Sequence, residues 1–204
     1  MMIQDPHITI PALPKPLRWQ GVPQNWSVDS DSNLSITAAR KTDWFLDPGG
    51  SVNVLNAPAL LATVDQPCML KALVTSDAAA MFDAAVLTVY QAADQWAKLC
   101  FELSPQGQLM IVSVVTKGTS DDCNSIPISG SSVYLRLSVL EQAYAFHYSL
   151  DGNLWNMVRY FTMGERQRVE IGFLSQSPTG EGCTSTFSEI AFTPEKLSDI
   201  RSGV

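Results

Sequence analysis

The chain has 204 residues, of which 46% are hydrophobic and only 16% are charged. This composition supplies a sizeable apolar core and excludes an intrinsically disordered chain, which combines high charge with little to bury. The formal net charge is −7, and an acidic surface repels phosphate backbones and anionic lipids. We therefore expect no nucleic-acid partner and no membrane partner.

Residues 1–16 show no strand pattern. Pro6, Pro11, Pro14 and Pro16 instead predict an extended lead-in. Residues 1–15 lack the basic segment and following apolar segment of a secretory signal, and no apolar stretch approaches the roughly 20 residues of a membrane helix. These features predict a cytoplasmic protein, although a mature secreted protein that has lost its signal has the same appearance.

Short β-rich runs separated by turn residues dominate the rest of the chain and predict an all-β protein. Leu34–Ala38 alternates apolar and polar residues, as a strand with one buried face does. The other predicted strands are Met69–Thr75, Ala84–Tyr90, Trp96–Leu103, Leu109–Thr116, Val133–Leu140, Ala143–Leu150, Val169–Leu174 and Phe187–Phe192. About nine to twelve antiparallel strands predict a two-sheet jelly-roll sandwich.

Two stretches lack strand periodicity. Gly118–Ser132 is rich in Ser, Gly and Asp and is predicted to be a long loop, while Glu195–Val204 is predicted to form a terminal turn or to fray. No repeat or linker divides the chain. We therefore expect one domain over residues 17–194, followed by a C-terminal tail over residues 195–204.

The four cysteines are widely spaced and the chain has only two histidines, so the clustered ligands of a zinc site are missing. We expect free thiols, no cofactor and no metal site. Asp121 and Asp122 near Asn124 are conceivable calcium ligands, but short acidic runs in loops are far more often simply solvated. The four cysteines are Cys68, Cys100, Cys123 and Cys183, and the two histidines are His7 and His147.

The segment Tyr148–Trp155 carries Asp151 and Gly152 between two β-rich runs, which predicts a hairpin with a type I′ turn. Trp155 then lies just beyond the turn, where an aromatic ring covers the hairpin end. The spacing of Ser149, Asp151, Gly152 and Trp155 resembles the Asp-box hairpins of sialidases. Those hairpins are usually structural, and we expect a structural role here.

Several segments in a fixed order resemble the regulation-of-enolase family, a concanavalin A-like β-sandwich family otherwise described as a domain of unknown function. The matching segments are Lys41–Phe45, Phe82–Leu87, Trp96–Glu102, Val114–Thr116, Ser120–Asp121, Tyr134–Arg136, Tyr148–Trp155 and Ser177–Gly182, within about Leu17 to Pro194. Ala85 departs from a glycine common in the family. The resemblance implies a lectin- or glucanase-like jelly roll and a link to carbohydrate, because similar domains are attached to family 43 glycoside hydrolases. It supplies no catalytic residues.

Strand alternation places Trp96, Lys98 and Glu102 on one face of their strand and Ala97, Leu99 and Phe101 on the core face. In the same way, Leu135 and Leu137 are predicted to face the core, which leaves Tyr134 and Arg136 on the opposite face. If the two strands are neighbours in one sheet, these polar residues and Thr116 form a shared outer surface. Such a surface suits a carbohydrate or another small polar ligand. The predicted ligand-binding residues are Trp96, Lys98, Glu102, Arg136, Tyr134 and Thr116, with Asp83, Tyr148 and Glu181 on the rim.

Other interpretations of this surface remain open. Lys98, Glu102 and Arg136 are equally compatible with a solvated face that carries weak cross-strand ion pairs. The second function is that of a regulatory domain that binds a protein, such as enolase or a second copy of itself. A glycosidase that uses Glu102 with Asp83 or Glu181 is the third, although the chain lacks the E-x-D-x-x-E motif of related glucanases and His147 is expected to be structural.

Overall fold

A computed structural model describes residues 8–165 and 168–204, and His7 and the first residues of the predicted lead-in lie outside these ranges. The described residues form sixteen β-strands and no helix. The strands are β1 (Arg18–Gln20), β2 (Asn25–Val28), β3 (Leu34–Ala39), β4 (Trp44–Leu46), β5 (Asn53–Leu55), β6 (Ala59–Val64), β7 (Cys68–Ser76), β8 (Ala84–Ala92), β9 (Gln95–Leu103), β10 (Leu109–Lys117), β11 (Thr119–Pro127), β12 (Ser132–Val139), β13 (Tyr144–Ser149), β14 (Asn156–Phe161), β15 (Val169–Gln176) and β16 (Gly182–Thr193).

Fourteen of these strands form two seven-stranded antiparallel sheets that pack face to face. Sheet 1 has the order β1-β6-β15-β8-β9-β10-β11, and sheet 2 has the order β14-β13-β12-β7-β16-β3-β2. The remaining two strands, β4 and β5, form a separate hairpin. The predicted all-β, two-sheet sandwich is therefore confirmed. Within the described ranges, no helix is long and apolar enough to cross a membrane.

The core lies between the two sheets, where the inner face of each strand is apolar. On β9, Ala97, Leu99 and Phe101 belong to it, and on β12 Leu135 and Leu137 do, as alternation predicts. The rings of Phe173 on β15 and Phe187 on β16 lie 5.0 Å apart and join the sheets. Alternation therefore predicted correctly which side of each of these strands faces the core between the sheets.

The predicted loop Gly118–Ser132 is wrong over most of its length, because β11 (Thr119–Pro127) occupies it and pairs with β10. This strand closes the edge of sheet 1 and has one neighbour, and nearly all of its side chains are exposed. An edge strand needs no apolar face, so hydrophobic periodicity does not reveal it. The β6 segment was missed for the opposite reason: its side chains are almost all buried, so they do not alternate.

The Asp151–Gly152 turn is not of type I′, because Gly152 has φ 76° whereas Asp151 does not have a positive φ. The Asp151 carboxylate instead accepts hydrogen bonds from the backbone N–H groups of Asn153 and Leu154, each at 2.8 Å, and from Ser149 Oγ at 3.0 Å. The Asp151 side chain thus satisfies backbone N–H groups in the connection between β13 and β14, which is longer than a two-residue turn. The role of these groups is structural, as expected.

The C-terminal tail lies on the outer face of sheet 2. Its Gly203 carbonyl accepts a 2.6 Å hydrogen bond from Arg136 Nη2, and its Ile200 carbonyl lies 2.8 Å from His147 Nε2. Leu197 is buried. The tail therefore covers part of the sheet instead of fraying, and the predicted structural role of His147 is confirmed.

Candidate functional site

The β4–β5 hairpin covers part of the outer face of sheet 1. Trp44 is fully buried there, with its ring centroid 5.6 Å from that of Tyr90 and 5.7 Å from that of Trp96. The Leu46 backbone N–H donates to Ser120 Oγ on β11 at 2.9 Å. A second apolar cluster, separate from the main core, results from this packing. The hairpin thereby decides which outer-face residues of sheet 1 a ligand can reach.

Two residues predicted to bind ligand lie beneath this cover. Trp96 is fully buried against Trp44, and its Nε1 donates to the Ala93 carbonyl at 3.2 Å. Thr116 is also fully buried, with its hydroxyl 2.9 Å from that of Ser120. An enclosed indole ring has no free face for a sugar, so the prediction of direct ligand contacts from these two residues is corrected to a packing role.

Lys98 is a buried cation on the same face, with 2% of its surface exposed. Its Nζ donates to Asp43 Oδ1 at 2.9 Å and to Gln176 Oε1 at 2.8 Å. The Gln176 amide in turn donates to the Phe82 carbonyl at 3.0 Å. Burial opposes the charge of Lys98, but the charge of Asp43 and its hydrogen bond outweigh burial and raise the pKa of the ammonium. Lys98 is therefore a fixed positive charge at neutral pH.

Glu102 lies four residues further along β9 than Lys98, between Ala84 on β8 and Met110 on β10. Its side chain is 8% exposed, and within residues 8–165 and 168–204 its carboxyl group has no hydrogen-bond or ion-pair partner. Burial raises the pKa of Glu102 to about 8, since the lowering effect of Lys98 is smaller. The carboxyl group is therefore mostly protonated at pH 7, with one O–H donor and acceptor oxygens to offer a ligand.

Two aspartates complete a group that we call the carboxyl cluster: Asp43, Lys98, Glu102 and Asp122. Asp122 on β11 and Lys98 on β9 flank Val114 of β10 in register, so both lie on the outer face. Asp122 is exposed at its surface, yet the surrounding protein partly desolvates its carboxylate and raises its pKa. The cluster therefore combines a buried cation, a neutral acid and an accessible acid on one surface.

Sequence reasoning missed four contributors to this site. The sequence predicts a loop at Asp122, and Asp43 and Gln176 lie outside the predicted strands. Phe82 lies two residues before the start of β8, with a positive φ of 71° and 37% of its surface exposed. Positive φ is unfavourable for a bulky side chain and is often retained where a site requires it. Only the family-like segments Lys41–Phe45 and Phe82–Leu87 had pointed to two of these residues.

The predicted surface shared by Lys98 and Arg136 does not exist. Strand β12, which carries Arg136 and Tyr134, pairs with β7 and β13 in sheet 2, whereas β9 lies in sheet 1. Both strands direct their polar residues outward, but from opposite sides of the sandwich. The Tyr134 hydroxyl donates to Glu189 Oε2 at 2.9 Å on that opposite side.

The side chains of the three predicted rim residues contact groups outside the carboxyl cluster. Asp83 accepts from Ser177 Oγ at 2.7 Å and from two backbone N–H groups of the preceding turn, so its carboxylate holds two loops together. Tyr148 packs against the core between the sheets. Glu181 is 84% exposed and lies 3.5 Å from Arg40.

The four cysteines are free thiols, as predicted, and three of them are buried. In the part of the chain that the structure describes, no group of three or more His, Cys, Asp and Glu side chains is arranged to hold a metal ion.

A family model matches residues 19–195, which cover both sheets and the carboxyl cluster. The chain belongs to the family described as "Protein of unknown function (DUF1349)". The name of the regulation-of-enolase family is not supported by this match. No curated protein matches the chain.

Solved structures share the fold of this DUF1349 chain. A functionally unknown protein from Saccharomyces cerevisiae superposes with a TM-score of 0.81 and 21% identity over 89% of this chain and 97% of that one. The GH43 protein BlXynB from Bacillus licheniformis gives a TM-score of 0.68 and 14% identity over 87% of this chain and 37% of the enzyme. A xylan β-1,4-xylosidase from Bacillus halodurans gives 0.65 and 14% over 82% of this chain and 34% of the enzyme. At these identities the likeness shows the sandwich fold, and the chain spans about a third of each enzyme.

Proposed function

We propose that this domain binds a carbohydrate or a similar small polar ligand without catalysis, and that the carboxyl cluster on the outer face of sheet 1 is its site. The observation that carries the proposal is the Glu102 carboxyl group, which is buried yet has no partner among the described residues. Its oxygens are not among the fully enclosed polar atoms, so a ligand hydroxyl can reach them and supply a hydrogen bond.

The chemistry of the cluster suits neutral hydroxyl groups. Because the pKa of Glu102 is raised to about 8, its neutral carboxyl group can both donate to and accept from a sugar hydroxyl. Lys98 is held by Asp43 and Gln176, so its position does not depend on the ligand. The backbone N–H of Phe82 donates to the carbonyl of Leu103, the residue after Glu102. The exposed Phe82 ring offers an apolar face beside these polar groups.

The fold likeness to sandwich modules of GH43 enzymes suggests which ligands to test first. One matched structure is a xylan β-1,4-xylosidase, so xylose and xylo-oligosaccharides are the leading candidates, followed by other neutral sugars. The measurement is isothermal titration calorimetry, supported by thermal shift at millimolar sugar. We expect saturable binding and a raised unfolding midpoint.

A variant tests whether the carboxyl cluster is the site. Glu102→Leu removes both the donor and the acceptors while keeping similar volume, and it is expected to abolish sugar binding. Glu181→Leu is the matched control, because that side chain is 84% exposed and pairs with Arg40 instead of a cluster residue, and sugar binding by this variant is expected to be unchanged. Equal affinity of Glu102→Leu and the unmodified protein refutes this site, and no binding by any neutral sugar refutes the function.

A protein-interaction role is the second candidate, and the enolase-regulating role implied by the family resemblance belongs to it. Leu150 and Leu154, each 70% exposed in the connection between β13 and β14, favour it. Substituting both with Asp is expected to abolish binding to a protein partner or self-association without affecting sugar binding. Sedimentation analysis and a pull-down with purified enolase are the corresponding measurements.

A further inference from the structure

Two cations lie side by side on the outer face of sheet 2, opposite the carboxyl cluster. Lys71 on β7 is the cross-strand partner of Arg136 on β12. Arg136 is also the partner of His147 on β13, but burial lowers the pKa of His147 and favours its neutral form. Like charges placed directly opposite each other in a sheet are destabilising. The arrangement therefore favours an anionic group close to the two cations.

No acidic side chain in the described ranges supplies that compensation. Neither Lys71 nor Arg136 takes part in an ion pair in residues 8–165 or 168–204. The hydrogen bond from Arg136 Nη2 ends on a neutral carbonyl, that of Gly203. The nearby Glu189 carboxylate accepts from the Tyr134 hydroxyl. The guanidinium is thus paired only with dipoles.

Arg136 is nonetheless 93% buried, being 7% exposed, and its Nε has no hydrogen-bond partner. Burial lowers the pKa of Arg136 to about 10, so the group stays charged at neutral pH. Its Cζ lies 4.1 Å from the centroid of the Trp155 ring. This stacking fixes the plane of the guanidinium. Because Nη2 bonds to Gly203 and Nε is enclosed, the edge left to a ligand is the one that carries Nη1.

A cavity of about 170 Å³ adjoins this edge. Its walls combine the two basic residues with an aromatic ring and small or apolar side chains: Met69, Lys71, Arg136, Trp155, Ala191 and Thr193. Such a lining offers positive charge on one side and apolar contact on the other. It therefore matches a short organic anion better than a fully hydrated inorganic one.

We propose that this cavity on the outer face of sheet 2 binds a small organic carboxylate, held between the Lys71 ammonium and the guanidinium edge of Arg136, with its apolar portion against Met69 and Trp155. The planar guanidinium matches a carboxylate in two parallel hydrogen bonds, and Lys71 adds a point charge. The site is independent of the carboxyl cluster, because the two lie on opposite faces of the sandwich.

Propionate is the probe for this site, titrated into the full chain by calorimetry and followed by thermal shift against sodium chloride at the same ionic strength. We expect propionate to bind saturably and to raise the unfolding midpoint above that in chloride. Equal midpoints in the two salts, or tighter binding of inorganic phosphate than of propionate, overturn the assignment.

Charge variants separate a specific site from general attraction of anions. Lys71→Gln is expected to weaken propionate binding at least tenfold, whereas Lys117→Gln, which removes an exposed lysine at the end of β10, leaves it unchanged. Lys71→Glu places a carboxylate beside Arg136, so it is expected to raise the unfolding midpoint in chloride and to abolish the response to propionate. Equal losses in the two glutamine variants, or a lower midpoint in Lys71→Glu than in Lys71→Gln, contradict the proposal.

Discussion

The buried Glu102 carboxyl group makes a prediction about stability that does not depend on any ligand. In the folded chain its pKa is raised to about 8 from the ordinary 4.5 because the group is buried. Between these two pH values the folded state keeps a proton that the unfolded state releases. The free energy of unfolding therefore falls as pH rises through this window, and it levels off above about pH 8.

The size of the effect follows from the pKa difference. At about 1.4 kcal/mol per pH unit, the interval from 4.5 to about 8 corresponds to about 5 kcal/mol in total. About 3 kcal/mol of this falls between pH 5 and pH 7. Glu102→Gln keeps the shape of the side chain but has no proton to release, so this pH-dependent penalty disappears from the variant.

Urea unfolding followed by tryptophan fluorescence at pH 5, 6, 7 and 8 gives the free energy of unfolding of Glu102→Gln and of the unmodified protein, and hence the difference between them. We expect this difference to move in favour of the variant by about 3–4 kcal/mol across the range. Using the difference cancels groups that titrate alike in both proteins. Glu181→Gln is the control and is expected to show no such trend, because Glu181 is 84% exposed. A change below about 1 kcal/mol for Glu102→Gln refutes the raised pKa.

Three further predictions concern a buried ion pair, a close backbone contact between strands and an exposed thiol. Lys98→Met leaves Asp43 without its cation and is expected to cost about 2–3 kcal/mol at pH 7, part of which Asp43→Asn restores in a double-mutant cycle measured by urea unfolding. Gly172→Ala places a Cβ 1.9 Å from a backbone oxygen of β6 and is expected to cost more than about 3 kcal/mol, whereas Gly49→Ala, whose nearest contact is a side-chain atom at 3.2 Å, costs less than about 1. Cys123 is the exposed thiol, so one equivalent of Ellman's reagent is expected to react quickly in native buffer and four in urea; two fast native equivalents contradict the described burial.

The sequence predicted the faces of strands well and their neighbours poorly. Alternation correctly placed Ala97, Leu99 and Phe101 in the core and thereby put Lys98 and Glu102 on an outer face. This succeeds because the side-chain period of a strand is a local property. Which strands become neighbours depends on contacts between distant segments, and so the assignment of Arg136 to the same surface was wrong.

The enclosure of the carboxyl cluster was not predictable for a related reason. The β4–β5 hairpin has only three residues in each strand, and its position on sheet 1 follows from the fit of Trp44 against Tyr90 and Trp96. No periodicity in so short a segment indicates where it docks. Burial raises the pKa of Glu102, and the contact with Asp43 raises that of Lys98. Both depend on the surrounding structure and cannot be deduced from alternation alone.

The two outer faces of the sandwich differ in how their covering segments balance charge. On sheet 1, the segment that enters the β4–β5 hairpin brings Asp43 to the buried Lys98, so the cation is neutralised within the protein. Glu102 is then a neutral carboxyl group that has no hydrogen-bond partner among the described residues. On sheet 2, the C-terminal tail brings only a carbonyl to Arg136, so the unmet need there is for negative charge. A neutral polyhydroxylated ligand fits the first face and a carboxylate fits the second, which is why the two proposals call for different ligands and can fail independently.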